Sequence, residues 1–241
     1  MWKELAAPWP DSVPHSGWKV LLLWGTYLIT EQLIGFGLLI TGMLSQGVVS
    51  TADLAQSDKA ALIFANPWAM TIRPLVLFVV LLIGLRLTRL RLFNPRQLSL
   101  WLPLQALVIF IGMEILFAGY LMLEPNFVTT QNQTALDVVL NGTPEWNVVL
   151  GVCILAPIVE EIVFRGLIMK YLLPQWPLIG WLVSSALFAG FHQPQSLFEF
   201  GIYALMGAVL GLTYWKTRRL EYAVAVHVIN NLVASSTYFI R

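Results

Sequence analysis

Glu160, Glu161 and Arg165 stand in the run Glu160-Glu161-Ile162-Val163-Phe164-Arg165-Gly166; His192 closes the run that starts at Phe188, and His227 opens the run that ends at Asn231. Carboxylates and imidazoles move protons near neutral pH, while imidazoles and amides donate hydrogen bonds to developing negative charge. Residues four apart on a helix share a face, so Glu161 is set to pair with Arg165, and Phe188 lies beside His192 as His227 lies beside Asn231. Glu160 points about 100° away from Glu161. It has no local cationic partner, and a carboxyl in that position, in a low dielectric, is suited to taking and returning a proton.

The elements that must position these groups are membrane helices. Apolar residue types make up 58% of the 241 residues and charged types 11%, against roughly 25% charged in soluble domains; the mean hydropathy is +0.73. The expected fold is all-α, a polytopic transmembrane helical bundle of about seven spans, within bounds of six to eight. The spans run from Lys19 to Gln46, Trp68 to Arg86, Leu100 to Leu123, Trp146 to Lys170, Leu178 to His192, Phe198 to Trp215 and Leu220 to Ile240. Hydrocarbon leaves helix as the way to satisfy the backbone, so Gly and Pro inside these runs do not break them. Each motif alone has an ordinary reading, as a structural ion pair or a satisfied core histidine. Three such sites on separate spans, each expensive to bury, are explained together when they face one wet cavity.

Basic residues set the expected orientation. Arg86, Arg89, Arg91 and Arg96 follow the second span, and Lys216, Arg218 and Arg219 follow the sixth, whereas residues 124–145 carry acids but no Lys or Arg. The positive-inside rule puts the basic loops and the N-terminus in the cytoplasm and the acidic loop after Asp53 outside, in an integral, multi-pass protein of the plasma membrane. The first eighteen residues do not read as a signal peptide, and the run after Lys19 reads as an uncleaved span. Residues 124–145 read as an exposed connecting loop. A net charge of +1 gives no case for nucleic-acid binding, and the single Cys153 reads as a small buried hydrophobe. Trp68, Trp101, Trp146, Trp176 and Trp215 fit an interfacial belt. Gly207 and Gly211 suit close helix packing. Glu31 and Glu114 are expected to hydrogen-bond, protonated, to neighbouring helices.

The series Glu-Glu-x-x-x-Arg, Phe-x-x-x-His and His-x-x-x-Asn, in that order and all in spans, resembles the CPBP family of intramembrane proteases. This family includes the type II CAAX prenyl endopeptidases and relatives linked to bacteriocin processing or immunity. The likeness covers about Val148 to Ser235, so residues 146–241 read as the catalytic core and residues 1–145 as N-terminal helices and loops without a family. It implies an endopeptidase in which Glu160, assisted by His192, activates water. His227 and Asn231 would then hold the oxyanion, with Glu161 and Arg165 as a supporting pair. It implies a glutamic protease that needs no metal and acts on a peptide or membrane-protein substrate within the lipid bilayer. Zinc is the alternative cofactor, held by Glu160, His192 and His227, a carboxylate and two imidazoles with an open position. The rival functions are a non-catalytic immunity or binding protein of the same family and a proton-coupled transporter; the substrate and the oligomeric state are left undetermined, and for the side on which the cavity opens only analogy speaks, in favour of the cytoplasm. Counting about 1.5 Å per residue from Pro174, Glu160 lies about 21 Å along its helix and His192 about 27 Å, but His227 only about 10 Å beyond Leu220. The three meet only if helices tilt, a basic loop leaves the membrane edge, or the helix breaks near Pro157.

Overall fold

A computed structural model describes residues 9, 17–48, 68–93, 99–140 and 143–239. Arg96, the segment after Asp53, all of the first sixteen residues except Trp9, and Ile240 lie outside them. Every regular element among the described residues is helical: α1 (Gly17–Ser45), α2 (Ala69–Thr88), α3 (Leu102–Leu121), α4 (Gln131–Leu140), α5 (Glu145–Leu172), α6 (Pro177–Phe191), α7 (Leu197–Thr217), α8 (Leu220–Ala234) and the short α9 (Ser236–Phe239). Five helices, α1, α2, α3, α5 and α7, are long and apolar enough to cross a membrane, and α6 and α8 are shorter apolar helices. These are the seven expected spans. Their apolar residues face outward as well as inward: α2 buries Leu77, Leu81 and Leu85 along one stripe while Val79, Leu82, Ile83 and Leu87 are exposed. A helix apolar on every face has lipid as its solvent, and the protein is an integral membrane protein.

α5 is the axis of the bundle. It is wound as a π-helix over Val149–Leu155 and again over Ile162–Leu172, with an α-helical stretch, Ala156–Glu161, between them. Every residue from Ile162 to Tyr171 is buried. Hydrogen bonds from i to i+5 place more residues in each turn, so the chain advances less per residue than in an α-helix. This shortens the climb from Pro174 to Glu160 and removes part of the depth mismatch counted on ideal geometry. Close approaches fix the neighbours of α5. A methyl group on Gly151 would lie 2.1 Å from the carbonyl oxygen of Met70, and one on Gly207 would lie 3.0 Å from the Ser185 Cα. Gly151→Ala is therefore expected to lower stability by about 1–3 kcal/mol, the range for overpacking, read as a fall in the thermal unfolding midpoint in detergent.

Three loops meet at one end of the bundle. Lys170 Nζ donates to the Arg91 carbonyl at 2.8 Å, and Arg91 N donates to the Tyr171 hydroxyl at 2.8 Å. Trp9 N donates to the Pro174 carbonyl at 3.4 Å, its ring stacks on Tyr214 at 4.6 Å, and the Arg218 guanidinium lies 4.3 Å above it. Residues 89–91, 170–174 and 214–218 thus share an end with Trp9.

Several expectations are corrected. The stretch read as an exposed loop contains α4, started by Thr130, whose hydroxyl accepts from Gln133 N at 3.1 Å. A Thr followed three residues later by Gln is a helix-start signature. Its start is tied to α7 because the Glu199 carboxylate accepts from Gln131 N at 3.3 Å and from Gln195 N at 3.0 Å. Trp215 is not in an interfacial belt: it is 5% exposed, packed 6.1 Å from the Trp181 ring, whereas Trp68, Trp101, Trp146 and Trp176 are exposed. Glu114 does not reach a neighbouring helix; it is exposed, one residue past the buried stripe Ala106, Phe110 and Met113 of α3. Glu31 does reach a neighbouring helix, where it pairs with Arg73 of α2. Cys153 is free and buried, as expected.

Candidate active site

A cavity of about 700 Å³ lies among α1, α2, α4, α5, α7, α8 and the end of α6, and Glu160, His192, His227 and Asn231 all line it. α5 supplies Glu160 and Glu161 from its α-helical island, so the two adjacent carboxylates face different neighbours. Glu161 is fully buried. Its Oε1 accepts from Arg165 Nη1 at 2.9 Å and lies 2.9 Å from His227 Nδ1. Arg165, also fully buried, donates through Nη2 to the Gly207 carbonyl at 2.9 Å and lies 4.6 Å above the Phe188 ring. Two charges removed from water require compensation of this kind, because effective desolvation costs several kcal/mol per ion. Phe188 gains a role here: its ring covers Arg165 and also packs against His192 and His227 at 4.5 and 5.8 Å.

With Nδ1 of His227 directed at Glu161, its Nε2 faces Glu160 and lies 3.7 Å from Glu160 Oε2. That oxygen has no hydrogen bond among the described residues, and the Glu160 side chain is 27% exposed. The carboxylate is thus within reach of the cavity and beside an imidazole. His192 caps α6 and donates from Nδ1 to the Phe188 carbonyl at 2.8 Å, which leaves Nε2 as the basic nitrogen. It stacks on Tyr203 at 4.3 Å, and the Tyr203 hydroxyl is held by Thr130 at 2.7 Å. Asn231 donates one amide hydrogen to the Val152 carbonyl at 3.0 Å and accepts from Asn230 at 3.2 Å; its second amide hydrogen is unassigned. The four residues named from the sequence line one space, with Glu161 and Arg165 behind them.

The N-terminal helices contribute more than the sequence suggests. Tyr27 and Glu31 of α1, Arg73 of α2, and Asn132 and Gln133 of α4 line the same cavity. Arg73 and Glu31 form an ion pair, with side chains 41% and 15% exposed, and Glu160 lies within electrostatic reach of both Tyr27 and Arg73. None of these belongs to a motif. The available signal for Arg73 is a charge near the start of an apolar span, which calls for a partner. Glu31→Ala is expected to destabilise by about 1 kcal/mol, the upper range for a part-exposed pair, and Arg73→Met on top of it is expected to recover the loss. Unfolding midpoints of the two single variants and the double variant measure the coupling.

The zinc ligand set fits poorly. Among the described residues no three His, Cys, Asp or Glu side chains converge to hold a metal ion, although the Nδ1 contacts of His227 and His192 leave each Nε2 open, as in imidazoles that bind metals.

Residues 142–233 match the family described as type II CAAX prenyl endopeptidase Rce1-like. A relative, "UPF0177 protein YbdI" of Lactococcus lactis subsp. lactis (strain IL1403), is 26% identical over 162 residues, covering 66% of this chain and 88% of its own length. No solved structure gives a significant match. The matched residues span α5 to α8 and include the three polar motifs, so this part of the chain is similar to type II CAAX prenyl endopeptidases of the Rce1-like kind.

Proposed function

We propose that the protein is an intramembrane endopeptidase of glutamic type, with Glu160 as the base. The observation that carries this reading is the Glu160 carboxylate, part-exposed on the cavity, with its buried Oε2 beside His227 and without a hydrogen bond among the described residues. Glu160, helped by the basic Nε2 of His192, takes a proton from water as the oxygen attacks the peptide carbonyl carbon. The carbonyl oxygen becomes negative and accepts hydrogen bonds from His227 Nε2 and the second amide hydrogen of Asn231. Held at Nδ1 by Glu161, His227 presents Nε2 as a preorganised donor of the kind that stabilises an oxyanion. The proton then passes to the leaving nitrogen as the C–N bond breaks. In this scheme no step uses a metal.

The substrate is a peptide or membrane protein, met in the plane of the bilayer, and the chain sits in the plasma membrane with its N-terminus in the cytoplasm. Substrate trapping tests the reading: Glu160→Gln, purified from cells in detergent, is expected to retain peptides that wild-type protein cleaves, identified by mass spectrometry. Cleavage of those peptides by wild-type protein is expected to survive a metal chelator. Retained peptides that the wild type leaves intact would instead make the protein a binding module.

A further inference from the structure

We infer that the cavity is loaded from the membrane face opposite the basic loops, so that its substrate is a peptide segment presented on the non-cytoplasmic side. The inference rests on the cavity being the peptidase site and adds the side of access. Two sets of positions carry it. One end of the bundle holds Lys170 on Arg91, and Trp9 on Pro174 and Arg218, and with Arg86, Arg89, Lys216 and Arg219 nearby in the chain it gathers the basic residues that the positive-inside rule assigns to the cytoplasm.

The cavity occupies the other half. It is lined from the first turns of α2 (Ala69, Met70 and Arg73) and the last turns of α8 (Asn230, Asn231 and Ala234). Those turns are the ends of α2 and α8 farthest from the basic loops, and the same holds for Tyr203 near the start of α7 and His192 at the end of α6. Toward the basic end the lining stops at Phe164 on α5 and Leu77 on α2. At the opposite end it is bordered by α4, whose Asn132 is exposed and whose Gln133 is half-buried. The stretch around α4, residues 124–145, has no Lys or Arg. Side-chain amides match the donors and acceptors of a peptide backbone, which suits this border to an extended chain entering from that face.

Cysteine accessibility tests the side of access without a known substrate. Wild-type protein, whose Cys153 is buried, is the blank. Asn132→Cys reports the mouth, Leu197→Cys, at a position 90% exposed, reports the same end outside the cavity, and Gln175→Cys reports the basic end. A membrane-impermeant maleimide added to intact cells expressing the full chain is expected to label Asn132→Cys and Leu197→Cys, with Gln175→Cys labelled only after permeabilisation. Labelling of Gln175→Cys alone in intact cells overturns the inference, as does labelling of all three. Labelling of Leu197→Cys while Asn132→Cys stays unreactive in every preparation overturns it too, because the mouth is then not open to that face. If Asn132→Cys does not fold, Gln133→Cys takes its place. A reversed pattern with Glu160-dependent cleavage intact sinks only the side of access; the expected pattern without any Glu160-dependent cleavage sinks only the peptidase reading.

Discussion

Glu160→Gln is expected to lower kcat by about 10²–10⁴-fold, the range for loss of a positioned general base, while leaving KM and the thermal midpoint near wild-type values. The amide keeps the size of the side chain, and the buried Oε2 beside His227 makes no hydrogen bond among the described residues whose loss would unfold the protein. Progress curves on a peptide recovered by trapping, with unfolding measured on the same preparation, separate chemistry from fold. A variant retaining most of the wild-type rate would remove Glu160 from the role of base. His192→Gln is expected to cost less, because His192 assists and its ring is held by the Phe188 carbonyl and Tyr203 rather than by Glu160.

The largest loss of stability is expected from Arg165→Met. Its guanidinium and the Glu161 carboxylate are both fully buried, and removing one partner of such a pair costs about 3–5 kcal/mol because the other charge is left uncompensated. The Gly207 carbonyl loses a donor at the same time. Glu161→Gln combined with Arg165→Met is expected to regain more than half of the loss, since a neutral pair needs no compensation. Activity stays low in that double variant, because His227 no longer has a carboxylate at Nδ1. Thermal unfolding in detergent of the single and double variants checks this; equal midpoints would mean that the uncompensated Glu161 charge is not what destabilises the single variant.

The seven apolar helices were legible because hydrocarbon allows few backbone solutions and demands long apolar runs. The Glu160, His192 and His227 motifs were legible for the complementary reason that polar groups in such runs need one another. Arg73 was harder to see. Its partner Glu31 is 42 residues away, and no periodicity links two single charges on different spans. α4 was hidden by composition: its Asn, Gln and Asp resemble a loop, and the capping pair Thr130 and Gln133 was the local sign of helix. Trp215 was misplaced because a tryptophan near a span end suits either an interface or a helix contact, and the Trp181 ring that decides between them lies on another helix. The π-wound stretches have no sequence signature comparable to a cap or a breaker, so distances counted along an ideal α-helix put Glu160 and His227 at different depths. In the fold they lie 3.7 Å apart.

The winding of α5 also bears on how the chain tolerates change in length. An extra residue accommodated in a π turn resets the angular phase of everything beyond it. Because π-wound stretches stand on both sides of Ala156–Glu161, the short island carrying both carboxylates is aimed independently of the two ends of its helix. Deleting one residue from Val152–Leu155 would turn the N-terminal part of α5, with Gly151 and its contact to α2, by roughly one residue's rotation, about 100°, relative to Glu160. The aim of the carboxylates is thus set by the count of residues between landmarks as much as by their identity.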